Sequence, residues 1–121
     1  MPISHPRVEM PIHDAAEKQA GELFDYLNAA AFALPGKRDH QVAAWVAQGF
    51  AEGVPVSLGS HDIMRRFGGD RRVACKTRQR LLQFRFIVEV AQDEKGLPRY
   101  APCLERGREW RARIGETRHA A

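Results

Sequence analysis

Between positions 65 and 85 the chain places eight of its 19 Lys and Arg side chains: Arg65, Arg66, Arg71, Arg72, Lys76, Arg78, Arg80 and Arg85. Asp70 is the only acid among them. A cluster of this kind neutralises phosphates and releases their counterions, and Arg can also read guanine O6 and N7 bidentately in a major groove. The rest of the chain offers little other chemistry. His5, His13, His40, His61 and His119 lack ligand spacing, so no metal or other cofactor is expected. Cys75 and Cys103 form no CxxC pair and too small a set for a disulfide framework, and reduced thiols are expected. Cys75 would sense redox state only if neighbouring Arg residues lowered its thiol pKa, and a plain small residue is the simpler reading. No Ser/His/Asp set, carboxylate pair in an apolar setting or phosphate-cradling loop is present, and Gly68-Gly69 is a lone doublet. The chain is read as a non-enzyme.

The basic cluster is part of a wider asymmetry. The net charge is +4, but residues 1–60 hold 4 Lys/Arg against 7 Asp/Glu, whereas residues 61–121 hold 15 against 8. A basic half attracts polyanions, of which nucleic acid is the commonest, although a solvated basic surface has the same composition. The 121-residue length fits one compact core, and 44% hydrophobic with 28% charged residues is an ordinary globular mix. No run nears the roughly 20 apolar residues of a membrane span, and the first residues lack the apolar segment of a signal peptide. A cytoplasmic location without membrane contact is expected.

Elements to position the basic cluster can be traced along the sequence. Three prolines in residues 1–12 predict an extended arm. A domain over 13–115 and a tail at 116–121 follow. Asp14 with Glu17 predicts the first helix start, with Ala20, Leu23, Phe24, Leu27, Ala30 and Ala31 on one apolar face and Pro35-Gly36 ending it. Asp39 is expected to cap a second helix bearing Val42, Trp45, Val46 and Phe50. The spacing of Trp45, Phe24 and Phe50 suits core or dimer-interface roles before ligand-pocket walls. Residues 54–58 suggest a short strand, and Ser60 suggests the cap of a third helix with Ile63, Met64 and Phe67. After the Gly68-Gly69 turn, a fourth helix is predicted over 70–83 with Val73, Thr77, Leu81 and Phe84 inward and Arg72, Lys76, Gln79 and Arg80 outward. Strands around 86–90 and from Tyr100 would flank a polar hairpin at 91–99 with Lys95 at its tip, before a last helix from near Glu105 to near Gly115.

This order is that of a winged helix-turn-helix: mainly α with a small β-hairpin wing. The join Arg80-Leu81-Leu82-Gln83-Phe84-Arg85-Phe86-Ile87-Val88-Glu89-Val90 resembles the place in bacterial winged-helix regulators where the recognition helix enters the first wing strand. Those families usually have Gly where Arg85 stands. Tyr100-Ala101-Pro102-Cys103-Leu104-Glu105-Arg106-Gly107-Arg108-Glu109-Trp110 is similar to the run that closes the wing in PadR-like and MarR-like regulators, with Pro102-Cys103 replacing Leu-Thr. The resemblance spans residues 57–114 and implies a DNA-binding fold and a sequence-specific transcription regulator, a repressor first. Arg72, Lys76, Gln79 and Arg80 are then expected in the major groove, Gln79 on adenine. Arg65, Arg66 and Arg71 are expected on phosphates, and Lys95 on the backbone or minor groove. The first two helices carry more apolar surface than a minimal winged helix needs, which favours a homodimer reading paired half-sites. Two other readings use the same surface: a protein-interaction adaptor with an acidic partner, and a plasmid or phage replication or partition protein.

Overall fold

Proline and glycine set most of the points where the chain turns. The computed structural model describes the backbone over residues 5–120 and the side chains over residues 15–115. The element order is α1 (His5–Ala33), α2 (Lys37–Ala51), β1 (Val56–Ser57), α3 (Ser60–Phe67), α4 (Arg71–Gln83), β2 (Ile87–Gln92), β3 (Pro98–Pro102) and α5 (Leu104–Ala120). The fold is mainly helical with one small antiparallel sheet, ordered β1-β3-β2.

Three helix starts show how local chemistry sets the ends. Asp70 caps α4, its carboxylate accepting the Val73 amide at 2.9 Å, as expected. The other two starts are corrected. Gly36 rather than Asp39 begins α2, and Asp39, three residues in, reaches back to accept the Gly36 amide at 3.0 Å. Gly59 rather than Ser60 begins α3, and Asp62 accepts the Gly59 amide at 3.1 Å and the Ser57 hydroxyl at 2.9 Å. In both, an acid in the first turn satisfies the orphan amide from inside the helix.

The expected arm and tail are also corrected within the described residues. Backbone 5–12 belongs to α1, so Asp14 lies inside that helix, and 116–120 belongs to α5. Pro6 falls in the first turn, where its missing amide has no partner to lose. Pro11 removes one donor without ending the helix. Residues 1–4 of the expected arm and 121 of the expected tail lie outside the described residues.

The strands lie within a residue or two of their predicted places. Val56 pairs with Tyr100, Ile87 with Pro102 and Gln92 with Pro98, with a bulge between Glu89 and Ala91. The core joins all layers: Tyr26, Val42, Val46, Leu58, Ile63, Leu81 and Phe86 are fully buried. Tyr26 on α1 donates its hydroxyl to the Phe86 carbonyl at 2.6 Å, and the two rings meet edge to face at 5.7 Å. Burial raises the Tyr26 phenol well above its ordinary range, with the Cys103 thiol adding to the effect, so Tyr26 acts only as a neutral donor. α5 crosses α1 at Gly107, where a Cβ would stand 2.6 Å from the Tyr26 amide nitrogen.

Candidate nucleic-acid interface

The end of α3, the glycine turn and α4 bring six of the eight predicted site residues onto neighbouring elements. Arg65 and Arg66 occupy the last turn of α3, Arg71 and Arg72 the first turn of α4, and Lys76 and Gln79 follow on α4. All six are exposed. Gly68 and Gly69, at φ 79° and 84°, make the connection in a backbone conformation that a Cβ disfavours.

Helix periodicity gives α4 two faces. Ala74, Thr77 and Leu81 are buried. Arg72, Lys76, Gln79 and Gln83 recur at spacings of four, three and four on the exposed side. Of the inward set predicted from sequence, Thr77 and Leu81 are buried, whereas Val73 is 41% exposed and Phe84 39% exposed, and Ala74 occupies the core position in place of Val73.

Arg80 is the main departure. Its guanidinium turns inward and pairs with Asp39 on α2 at 2.8 Å, where the Asp39 side chain is fully buried. Asp39 Oδ2 receives both Arg80 and the Gly36 amide, while Oδ1 has no hydrogen-bond partner among the described residues. Arg80 thus ties α4 to the start of α2 and does not project from the exposed face. Arg78 is also directed inward, donating to the Leu58 carbonyl at 3.4 Å.

Aromatic rings orient the neighbouring cations. The Arg66 guanidinium lies 4.9 Å from the Trp45 ring centre, and Trp45 meets Phe67 edge to face at 5.7 Å. Arg38 lies 5.5 Å from the Phe67 centroid and donates to the Gly68 carbonyl at 3.1 Å. Arg38 carries no local sequence signal for this role, because it lies 30 residues from the turn that it clasps.

The charge of this region is uncompensated. Among the described residues, Arg65, Arg71, Arg72 and Lys76 make no ion pair with the protein. Arg71 and Arg72 also sit at the helix end that already carries positive partial charge, an arrangement that costs stability and concentrates potential there.

Lys95 occupies a separate element, the exposed tip of the β2–β3 hairpin, beside Asp93 and Glu94. Asp93 Oδ1 accepts the Leu97 amide at 2.9 Å and the Lys95 amide at 2.8 Å, and Gly96 turns at φ 82°. The Leu97 amide, then that of Lys95 with the charges of Arg99 and Lys95, holds the Asp93 carboxyl below its ordinary value. Arg85, exposed between α4 and β2, adopts φ 60°.

Cys75 and Cys103 are free and half-buried. No described helix is long and apolar enough to cross a membrane, and the described residues contain no cluster of three or more His, Cys, Asp or Glu suited to a metal ion. Comparison with family models, curated proteins and solved structures finds no match for this chain.

Proposed function

We propose that the chain is a winged helix-turn-helix protein that reads duplex DNA and acts as a transcriptional repressor by occupying its operator. The observation that carries this reading is the exposed stripe Arg72, Lys76, Gln79 and Gln83 on α4, flanked by the unpaired cations Arg65 and Arg71. The order α2-β1-α3-α4-β2-β3, with β3 between the other two strands, supports the same class. A 13-residue helix is about 20 Å long, enough to lie in a major groove.

In this arrangement Arg72 and Lys76 approach base edges or flanking phosphates, Gln79 is suited to adenine, and Arg65, Arg66 and Arg71 hold the backbone beside the turn. Arg38 and Arg80 position: one clasps the glycine turn, the other fixes α4 against α2. Lys95 reaches DNA from the hairpin tip.

Selection from a random duplex pool by the purified protein tests the reading. An enriched motif, blurred by Arg72→Ala or Lys76→Ala and bound with steep salt dependence, supports a sequence reader. Bulk salt-sensitive binding with no motif overturns it in favour of an adaptor for an acidic partner. A replication or partition protein would also yield a motif, and the location of that motif beside an origin rather than a promoter would distinguish it.

A further inference from the structure

A cleft opens between α2 and the end of α3, beside the glycine turn. It holds about 280 Å³, and its walls are Gln41, Ala44, Trp45 and Gln48 of α2 with Arg66 and Phe67 of α3. That volume is close to the roughly 300 Å³ at which small-molecule sites begin. Helix spacing puts the four α2 residues on one face, and Phe67 meets Trp45 edge to face across the cleft wall at 5.7 Å.

Two kinds of group here lack a counterpart. Gln41 Oε1 is buried and has no hydrogen-bond partner among the described residues, a condition that folded proteins rarely leave standing. Gln48, by contrast, donates its amide to Glu52 at 3.3 Å. The guanidiniums of Arg38 and Arg66 lie 5.5 and 5.9 Å from the centre of the same Phe67 ring, and neither pairs with an acid among the described residues. Two like charges are thus held beside one aromatic surface.

The chemistry of these groups selects the ligand. A cation would suit the rings but meets both guanidiniums. An apolar molecule covers the rings and leaves the charge and the Gln41 oxygen unanswered. Inorganic phosphate answers the charge and leaves the rings bare. A nucleotide carries all three counterparts: a base that stacks, an N–H on its edge for Gln41 Oε1, and a phosphate for the guanidiniums.

We propose that this cleft binds one nucleotide, its base against Trp45 and Phe67 and its phosphate on Arg66, with Arg38 adding to the field. A free mononucleotide and an unstacked nucleotide of a single strand present the same groups, and the test separates them. The proposal goes beyond the DNA reading, because the α4 stripe and the hairpin take no part in it. Arg66 is the one residue common to both.

The chain has two tryptophans, so Trp110→Phe, with its fold checked by circular dichroism, leaves Trp45 as the sole fluorescent reporter. It is titrated with AMP, GMP, CMP, UMP, inorganic phosphate and a short single-stranded oligonucleotide. Saturable quenching by a mononucleotide supports the proposal with a free ligand, and quenching by the oligonucleotide alone supports it with a strand. Calorimetric titration then shows affinity at least about tenfold weaker in Arg66→Ala and about fivefold weaker in Gln41→Leu. Gln41→Leu itself folds no less stably, because the unsatisfied oxygen is gone. Quenching by none of these ligands, inorganic phosphate bound as tightly as the nucleotides, or affinity unchanged in Gln41→Leu each overturns the proposal. No duplex enters these measurements, so their failure is distinct from failure of the DNA reading.

Discussion

Two sets of arginines give this chain its basic second half, and they are used in opposite ways. Those of α5 meet acids: Arg108 binds Glu22 through two nitrogens at 2.6 and 3.0 Å, Arg111 binds Asp25 at 2.9 Å, and Arg106 binds Glu109 at 3.3 Å. Those at the end of α3 and the start of α4 meet none. Net charge counts both sets alike, although the α5 arginines mainly cancel the acidic first half. Of the two sets, the α3–α4 one is left without acidic partners, and its field suits a polyanion.

Arg80 crosses this division, since it belongs by sequence to the basic helix and by geometry to the paired set. Arg80→Ala leaves the Asp39 carboxylate buried without its counter-ion. The expected cost is about 3 kcal/mol, a fall in Tm on the order of 10 °C, measured by thermal unfolding. A loss below about 1 kcal/mol would mean that Arg80 is free to leave Asp39 and act on the exposed face after all.

Next in size is the contrast between the two sets in DNA binding. Arg72→Ala and Lys76→Ala should each weaken binding to a selected duplex about tenfold, and each removed phosphate contact lowers the salt slope by about 0.9. Arg108→Ala and Arg111→Ala should leave affinity unchanged and cost under about 1 kcal/mol of stability, because both side chains are more than half exposed. Fluorescence anisotropy across a salt series measures both. Equal losses from the two sets would show that bulk charge, rather than the α4 face, is what DNA senses.

Signals carried by adjacent residues were legible in the sequence. The Asp70 cap, the glycine turn, the hairpin and the element order each rest on a few neighbouring side chains. The face of α4 was read nearly right, because Thr77 and Leu81 are buried as expected, but Val73 looked more like a core residue than Ala74 did. Helix starts slipped where an acid at the third position satisfied an amide from within, as Asp39 and Asp62 do. The Arg80–Asp39 pair left no trace, since its members are 41 residues apart and each looks like a surface residue in its own segment. Of the candidate site, the stripe was legible, whereas the removal of Arg80 and the role of Arg38 required the packing of α2 on α4.

Arg85 separates charge from conformation. At φ 60° its Cβ is strained, and Gly relieves this at the same time as it removes a cation. Arg85→Gly should raise stability by about 1 kcal/mol, a gain of a few degrees in Tm. If it also leaves DNA affinity unchanged, Arg85 sits outside the contact set, and the unpaired cations that matter narrow to those of α3 and α4. A loss of stability would mean that the Arg85 side chain makes up for its backbone strain.

The hairpin tip is where the smallest effect is expected, because there one cation is offset by two acids. The carboxyl of Asp93 is held below its ordinary value by the Leu97 amide first, so its ionised form favours the folded hairpin. That contribution is fully present above the ordinary carboxylate pKa of about 4 and is lost as pH falls through the lower folded-state value. Asp93→Ala should therefore lower stability at neutral pH, and the gap from wild type should narrow progressively as the pH falls below about 4, followed by urea unfolding. Asp93→Asn keeps an acceptor but removes the charge, leaving Lys95 opposed by Glu94 alone. If the tip touches DNA, this variant binds slightly more tightly at low salt and equally at high salt. If it binds no differently at any salt concentration, the hairpin stays clear of the duplex and recognition falls to α4 and the turn before it.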